Sequence, residues 1–326
     1  MGTARSPKGD LIRLLITGAA GNMGSLLARS LLGSGHTLRL MFHRSELAPD
    51  LANQPNVEPF RADLERPETL GPACQDVDCI VHFAGLLFAP RPERFLPRTN
   101  VEYVRHLVQA ALAQDVDKFI LVSFPHVEGE STPERPAKGL PDGNPASVHA
   151  RTRLEAEKVL FHACDGRQMV PVALRPGMVY ARGVLMIEAA RRLMRRRLLH
   201  IWRRPTWIHP LALPDFLAAT RAAIEAPQAS GIYNLADDGP LTLQQFLDSA
   251  ADRWGYARPL RLPEWTFLTA ALAVELFASV FRTAAPLTRD FIRIGMASYV
   301  ADTARMKQEL LPVLGYPTLE HGLTLL

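Results

Sequence analysis

A glycine-rich turn near the start of the chain constrains the fold more than any other segment. The stretch TGAAGNMG, residues 17–24, lies between an apolar run and a helical pattern, and its three glycines are spaced three residues apart. At such a strand–turn–helix junction, glycines let the backbone N–H groups of the helix N-terminus approach a pyrophosphate. The turn therefore predicts dinucleotide binding, and the alternative is a glycine-rich turn kept for tight packing. The residues predicted to line it are Gly18, Gly21, Asn22, Met23 and Gly24.

Short apolar runs alternate with helical patterns over the first part of the chain. This alternation predicts a parallel β-sheet covered by helices on both faces, and right-handed crossovers make such a sheet doubly wound. We therefore predict an α/β fold. The runs interpreted as strands are residues 11–17, 37–43, 77–85, 117–124 and 171–180, with one more at 231–237.

The pattern changes after residue 180, where helical, arginine-rich and proline-punctuated segments dominate. We predict that residues 1–180 form a dinucleotide-binding domain and that about 208–235 returns to its core. Residues 181–207 and 236–326 are predicted to form a smaller, mainly helical substrate-binding lobe.

Composition narrows the classes of protein that this chain can belong to. The 37 basic and 33 acidic residues leave a net charge of +4, which is too small to indicate nucleic-acid binding. The three cysteines have no metal-ligand spacing, and their odd number argues against a disulfide framework. We therefore predict no metal site and a reducing, cytoplasmic setting. The polar first ten residues predict no signal peptide.

The longest apolar run, WTFLTAALAVELFASVF at residues 265–281, allows two interpretations. It is short for a membrane span and carries Glu275 near its middle. One interpretation is a buried helix, and the other is a helix that makes peripheral contact with a membrane surface. In the second case, the arginine-rich stretch at residues 191–204 adds attraction for anionic lipid, although such a stretch more often forms a solvated helix face.

The glycine turn and three later segments, in the same order, resemble the extended short-chain dehydrogenase/reductase superfamily, with its NAD-dependent epimerase/dehydratase and 3β-hydroxysteroid dehydrogenase-like branches. The segments RADLERPETL, VHFAG and LRPGMVYARG carry this resemblance. It implies a Rossmann fold and a nicotinamide cofactor. The contacts that the resemblance implies are Asp63 and Leu64 at the adenine, Ala84 and Gly85 beside the cofactor, and Pro176 near the nicotinamide. For Asp63, the alternative is a turn aspartate before a helix.

The residues after the second predicted strand indicate which nicotinamide cofactor binds. Enzymes that use NAD place a carboxylate there to bind the ribose 2′-OH. In this chain the segment reads MFHRSE, with Arg44 and no aspartate. A guanidinium suits a 2′-phosphate because of its charge and its planar fork of donors. We therefore predict NADP, with NAD as the alternative. If Arg44 is instead only a solvated loop residue, it indicates neither cofactor.

The residues at the positions of the superfamily's catalytic set are altered. In the superfamily, a Tyr-x-x-x-Lys pair on a helix and a Ser or Thr after the preceding strand move the substrate proton. The segment SVHARTRLEAEKVL resembles that helix and places His149 at the tyrosine and Arg153 at the lysine. Ser123 matches the first hydroxyl of a strand-end pair, but Phe124 stands at the catalytic one. All three members of the set therefore differ from the superfamily pattern.

His149 and Arg153 allow three interpretations. They are four residues apart, so a helix places them on one face. In the first interpretation, His149 is a general acid or base, Arg153 lowers its pKa and also faces the ribose hydroxyls, and Ser123 completes the catalytic set. In the second, the pair holds the ribose without catalysis, and in the third the site is degenerate. The nearby His126 is interpreted as a solvent-facing loop residue rather than a substrate contact.

These observations predict a nicotinamide-dependent oxidoreductase that acts on a small hydrophobic alcohol or ketone. The motivation is the dinucleotide turn together with an apolar, helix-rich C-terminal lobe. The altered catalytic set favours a second hypothesis, a cofactor-binding scaffold or sensor without hydride chemistry. A sugar epimerase or dehydratase is the third hypothesis, which the apolar lobe and the missing tyrosine speak against.

Overall fold

A computed structural model of the chain describes residues 11–83, 85, 92–281 and 288–326. The strands of this part of the chain are β1 (Arg13–Thr17), β2 (Thr37–Phe42), β3 (Val57–Arg61), β4 (Cys79–His82), β5 (Lys118–Val122), β6 (Val170–Pro176), β7 (Met178–Tyr180), β8 (His200–Trp202), β9 (Trp207–Ile208), β10 (Pro210–Ala212), β11 (Gly231–Leu235), β12 (Leu241–Thr242) and β13 (Leu260–Leu262). Its α-helices are α1 (Asn22–Ser30), α2 (Pro49–Ala52), α3 (Leu70–Cys74), α4 (Pro92–Leu96), α5 (Tyr103–Ala113), α6 (Val148–Cys164), α7 (Leu185–Arg195), α8 (Leu213–Glu225), α9 (Leu243–Trp254), α10 (Glu264–Phe281), α11 (Arg289–Met296), α12 (Ala304–Glu309) and α13 (Leu319–Gly322).

The central sheet is built from parallel strands in the order β3-β2-β1-β4-β5-β6-β11. Every neighbouring pair in this sheet runs in the same direction. The predicted doubly wound α/β fold is therefore confirmed. The strand order reverses between β1 and β4, and open sheets of this kind bind ligands at the carboxyl ends of the strands beside such a switch point.

The core lies on both faces of this sheet, and β1 shows why. Its side chains alternate in direction, so Leu14 and Ile16 join the hydrophobic core on one face while Leu15 joins the core on the other. All three are fully buried. Strands that are covered on both faces have continuous apolar sequences, which is the pattern from which these strands were predicted.

Two features of the sheet differ from the predicted strands. The run at 171–180 is not one strand, because β6 ends at Pro176 and β7 pairs instead with β10. The chain bends at Gly177, where a Cβ would overlap the carbonyl oxygen of His209. The pattern does not predict β3, since the segment VEPFR contains Pro59; the structure tolerates this proline because β3 is an edge strand.

The C-terminal part of the chain forms the smaller, mainly helical lobe. Two short strand pairs, β8 with β13 and β9 with β12, tie its helices together. The run predicted as a last core strand, residues 231–237, supplies β11 at the edge of the sheet. The domain boundaries themselves stay a prediction.

Helix α10 contains the apolar run at residues 265–281, and one of its sides is open. Ala271 is fully buried, whereas Trp265 is 65% exposed and Leu276 is 60% exposed. The interpretation as a buried helix is therefore wrong for this outer side. Within the described ranges, no helix combines the length and hydropathy needed to traverse a bilayer.

Candidate cofactor site and active site

The glycine turn has the tight geometry that its sequence predicts. Gly18 has a φ of +69°, in the left-handed region that favours glycine, and its carbonyl oxygen accepts a 2.8 Å hydrogen bond from the N–H of Gly21. A Cβ at Gly24 would overlap the same carbonyl oxygen. Glycine at this position therefore lets α1 begin directly against the carboxyl end of β1.

The N-terminus of α1 is suited to an anion. Its first turn contains no acidic residue, and no side chain of the described residues caps its N–H groups. The side chain of Asn22 does not cap these N–H groups either. It accepts a 2.9 Å hydrogen bond from the N–H of Leu185 and donates a 2.7 Å bond to the oxygen of Gly183. Uncapped N–H groups and the helix dipole together fit the pyrophosphate of a dinucleotide. Met23 is half-buried and packs against the core.

We expect Gly24→Ala to weaken both cofactor binding and the fold. The added Cβ must push α1 away from Gly18, which costs about 1–3 kcal/mol in a packed region and moves the N–H groups that face the pyrophosphate. The measurements are the midpoint of urea unfolding and the dissociation constant for NADPH. Gly33→Ala is the matched control, since a Cβ there meets no atom within 4 Å. Unchanged NADPH affinity in Gly24→Ala would contradict this account.

The predicted adenine contacts lie where β2 and β3 end. Asp63 accepts a hydrogen bond from the N–H of Glu65, the local turn role given above as its alternative, and its other carboxylate oxygen is 3.2 Å from Nε2 of His43. Leu64 is half-buried, and its carbonyl oxygen accepts a hydrogen bond from His106. Arg44 is exposed and forms no ion pair with the described residues. Its guanidinium is thus available to a 2′-phosphate, but its predicted role stays a prediction.

Arg153 is a buried cation with unused donors. It is 7% exposed, and its Nε and Nη1 atoms have no hydrogen-bond partner among the described residues. Burial lowers its pKa to about 10, although the nearby Glu157 opposes this shift. Its guanidinium lies directly against Gly85, where a Cβ would overlap Nη2. Ala84, also predicted to border the cofactor, lies outside the described residues.

A second buried arginine at the same end of the sheet is paired with carboxylates. Arg175 is fully buried and donates two hydrogen bonds to Glu157, at 2.6 and 3.0 Å, and one of 2.7 Å to Glu128. Ser123 also donates its hydroxyl to Glu157. The carboxylates that could neutralise Arg153 are thereby engaged elsewhere, and the predicted catalytic hydroxyl of Ser123 is turned toward Glu157.

His149 lies in the first turn of α6 and is 3% exposed. Its ring meets the ring of Phe124 edge to face, with the centroids 4.7 Å apart, and its Nδ1 atom has no partner among the described residues. Burial lowers its pKa to about 3, and the charges of Arg153 and His126 lower it further in the same direction. The structure thus brings His149, Arg153 and Phe124 together. Because of its lowered pKa, the imidazole of His149 is neutral at neutral pH.

The interpretation of His126 as a solvent-facing residue is wrong. Its ring lies 5.2 Å from that of Phe124 and 5.4 Å from that of Tyr299, and its Nε2 atom donates a 3.1 Å hydrogen bond to the oxygen of Ala297. Burial lowers its pKa to about 4. Tyr299 was not predicted as a site residue, because it lies far along the chain in a segment without a motif. It is buried, and its hydroxyl has no partner among the described residues.

The switch-point edge of the sheet supplies another buried imidazole beside Arg153. His82 ends β4, is fully buried, and its Nδ1 atom lies 2.8 Å from Oγ1 of Thr17 at the end of β1. Burial and the charge of Arg153 lower its pKa to about 3. Pro176 ends β6 at the same edge of the sheet. The polar groups that converge here are therefore an arginine and neutral histidines.

An acidic residue from the C-terminal lobe positions the helix that carries His149. The carboxylate of Asp290, on α11, accepts hydrogen bonds from the N–H groups of Val148 (2.9 Å) and His149 (3.4 Å). Ser147 caps the same helix by accepting from the N–H of Ala150. No sequence signal links Asp290 to α6, because more than 140 residues separate them.

Comparisons with known proteins show which family this chain resembles. The family model described as "NAD dependent epimerase/dehydratase family" matches residues 14–236. Over 331 residues the chain is 26% identical to a 2-alkyl-3-oxoalkanoate reductase of Stenotrophomonas maltophilia, covering 91% of this chain and 98% of that protein. A ceramide reductase of Caulobacter vibrioides is also 26% identical, over 276 residues that cover 82% of this chain and 79% of that protein.

A solved structure shows the same fold. The UDP-glucuronic acid 4-epimerase of Bacillus cereus, in complex with UDP-glucuronic acid and NAD, superposes with a TM-score of 0.76 at 18% identity, covering 96% of this chain and 97% of that one. The parallel sheet, the anion-binding glycine turn and a family match over more than half of the chain lead to one conclusion. This chain belongs to the NAD-dependent epimerase/dehydratase family, within the extended short-chain dehydrogenases/reductases.

Proposed function

We propose that this chain is a nicotinamide-dependent reductase of an apolar ketone, with His149 as the proton donor and Arg153 as the ribose-binding residue. One observation carries the proposal: a buried arginine, two of whose donors have no partner among the described residues, lies beside a buried neutral histidine at the switch point of the sheet. The two curated reductases that align over most of this chain support the reaction class, and the ketone named for one of them carries alkyl chains.

Arg153 would replace the superfamily's lysine as the residue that holds the nicotinamide ribose. Its Nε and Nη1 donors suit the hydroxyl oxygens of the nicotinamide ribose, and this contact would relieve the cost of leaving buried N–H groups unpaired. Although burial lowers the pKa of Arg153 to about 10, its guanidinium stays protonated at neutral pH. The proton must therefore come from another side chain.

His149 is suited to donate a hydrogen bond to a carbonyl oxygen. Since its pKa is lowered to about 3, the ring is neutral at neutral pH and keeps a single N–H. A neutral imidazole can polarise a carbonyl and give its N–H proton to the oxygen as negative charge develops, which leaves an imidazolate that takes a proton back from water. The cofactor, when bound, supplies the hydride for the carbonyl carbon. Phe124 and Tyr299 give the site an aromatic wall, which favours an apolar substrate.

The direct test is oxidation of NADPH and of NADH by the purified protein with a panel of long-chain 3-oxo acids, 3-oxo esters and cyclic ketones. Loss of nicotinamide absorbance with formation of the corresponding alcohol supports the proposal. UDP-sugars belong in the same panel, because epimerisation produces a new sugar without net loss of the reduced cofactor. Epimerisation without ketone reduction would overturn the proposal.

One observation favours a second candidate, a protein that binds NAD(P) without hydride chemistry. Ser123 is engaged with Glu157, and Phe124 stands where the superfamily has its catalytic hydroxyl. Calorimetry separates the two candidates. Tight binding of the cofactor, with no turnover of any ketone in the panel, would support this second candidate.

We further propose that NADP is preferred over NAD, because Arg44 is exposed and forms no ion pair with the described residues. We expect Arg44→Ala to weaken NADPH binding about tenfold, the loss of one charge-assisted contact to the 2′-phosphate, and to leave NADH binding unchanged. Isothermal titration with both cofactors measures this. Arg167→Ala is the control, since Arg167 is an exposed arginine in the turn before β6, at the opposite edge of the sheet. An equal loss for NADPH and NADH would contradict this role.

A further inference from the structure

The exposed side of α10 carries an apolar stripe that is interrupted by Thr269, whose hydroxyl donates to the backbone oxygens of Trp265 and Thr266. Trp265, Leu272 and Leu276 are 65%, 39% and 60% exposed. At about 100° per residue, these three side chains leave the helix within about 40° of one another. The opposite side packs on the protein, with Ala271 fully buried and the ring of Phe267 at 5.7 Å from that of Trp202. A helix that is apolar on both sides normally has both covered, so this stripe indicates a binding surface.

Arginines line one edge of this stripe. Glu264 and Glu275 lie on the same edge, about 90° round the helix from Trp265. Each pairs with an arginine from another element, Arg204 at 2.9 Å and Arg289 at 2.8 Å.

Two further exposed arginines form no ion pair with the described residues: Arg203, next to Arg204, and Arg293, one turn beyond Arg289 on α11. Arg293 lies on the same side of α11 as Arg289, whereas Asp290 of that helix is held by α6. These segments together carry four arginines and three acidic residues, so the charge beside the stripe is net positive.

We propose that this stripe, together with its arginine edge, docks on the surface of an anionic phospholipid bilayer. Apolar side chains enter the boundary between headgroups and acyl chains, where a tryptophan is favoured, and arginines beside them bind anionic headgroups. Self-association fits the surface less well. In a symmetric dimer that packs two stripes antiparallel, the arginine edges of both copies would lie on the same side of the interface and repel.

The docking surface is connected to the active-site helix. Helix α11 packs against α10 through the pair of Arg289 and Glu275, and its next residue, Asp290, accepts the N–H groups of Val148 and His149. A bilayer bound at α10 is therefore only one helix away from the N-terminus of α6. If the proposed reductase function holds, an apolar ketone dissolved in the bilayer reaches His149 from this side.

Flotation of the full chain with vesicles tests the docking. We expect the protein to float with vesicles of phosphatidylglycerol and phosphatidylcholine, and to float more weakly with phosphatidylcholine alone. Leu272→Gln combined with Leu276→Gln is expected to lower the partition coefficient at least about tenfold, because two apolar side chains lose their burial in the interface. Both residues are exposed, so the variant should unfold at the same temperature as the parent. Val313→Gln is the control, since Val313 is 79% exposed and lies beyond α12.

Three outcomes would overturn the docking: a parent protein that does not float with anionic vesicles, a double variant that floats as well as the parent, or a control that loses binding equally. Sedimentation velocity tests whether a second copy of the chain covers the stripe instead of a bilayer. A parent dimer that the double variant converts to a monomer, without vesicle binding, would assign the stripe to a second copy of the chain. A protein that floats but reduces no ketone would support the docking and remove the proposed reductase function, so the two failures are distinguishable.

Discussion

Replacing His149 by alanine is expected to lower turnover of a ketone substrate at least about a hundredfold, while the affinity for NADPH stays within about twofold. The structure places the imidazole of His149 against the ring of Phe124 and beside the charge of Arg153. The cofactor contacts belong to other residues, so the loss should fall on kcat rather than on binding. Steady-state kinetics and isothermal titration measure the two quantities. Retained turnover would remove His149 from the mechanism.

The pH dependence of kcat/KM adds an independent check on the same residue. An ordinary histidine changes its charge near pH 6.5. Because the pKa of His149 is lowered to about 3, it stays neutral from pH 6 to pH 8 and should produce no inflection there. The control is His162→Ala, which removes an exposed histidine from the last turn of the same helix and should leave both kcat and the pH profile unchanged. An inflection near pH 6.5 that disappears in His149→Gln would contradict the neutral-donor mechanism.

The second large effect is a loss of folding stability in mild acid. The pKa values of His82 and His149 are lowered to about 3, and those of His126 and His209 to about 4, mainly because of burial. The unfolded chain binds protons at these histidines below about pH 6.5, but the folded chain does not. Stability therefore falls as the pH decreases, by about 2 kcal/mol for each histidine between pH 7 and pH 5.

One buried carboxyl group opposes this loss. Burial raises the pKa of Asp237 to about 8, so the folded chain holds a proton there that the unfolded chain releases above about pH 4. This group stabilises the fold as the pH decreases from 8 to about 4. Taken with the histidines, it leaves a net loss of about 5 kcal/mol from pH 7 to pH 5, a large part of the 5–15 kcal/mol that is typical of a folded protein.

Urea unfolding followed by circular dichroism at pH 7, 6 and 5 measures this dependence. His149→Gln should reduce the loss between pH 7 and pH 5 by about 2 kcal/mol, because glutamine binds no proton in either state. His321→Gln removes an exposed histidine instead and should leave the loss unchanged. A stability that does not change between pH 7 and pH 5 would show that these histidines are accessible to protons in the folded state.

The cofactor half of the site was predictable from sequence because its determinants are local. The glycine turn joins β1 to α1 within eight residues, and the spacing of Gly18, Gly21 and Gly24 specifies the close approach that the structure shows. The strand pattern was predictable for a similar reason, since a sheet buried on both faces needs continuous apolar runs. The two strand predictions that differ from the structure also have local causes. Pro59 is untypical of a strand, so β3 is not predicted, and the bend at Gly177 divides a run that the pattern predicts as one strand.

The exposure of α10 could not be predicted, because apolar residues occur on every side of the helix that residues 265–281 form. Periodicity distinguishes an inner from an outer side only when the two sides differ in polarity. The packing of Trp202 against Phe267 decides which side is covered. The burial of His126 is not predictable for a related reason. Tyr299 contacts its ring, and this tyrosine comes from a segment without a strand, far along the chain.

Short-range spacing and repeating patterns specify the doubly wound fold, the position of the glycine turn and the placement of His149 and Arg153 on one face of a helix. Long-range contacts, by contrast, determine which buried arginine has donors without a partner among the described residues. Glu128 and Glu157 pair with Arg175, and Asp290 is held by the N-terminus of α6. Such pairings join residues that are distant in the chain, and in the buried interior each pairing determines which charges are left for a ligand.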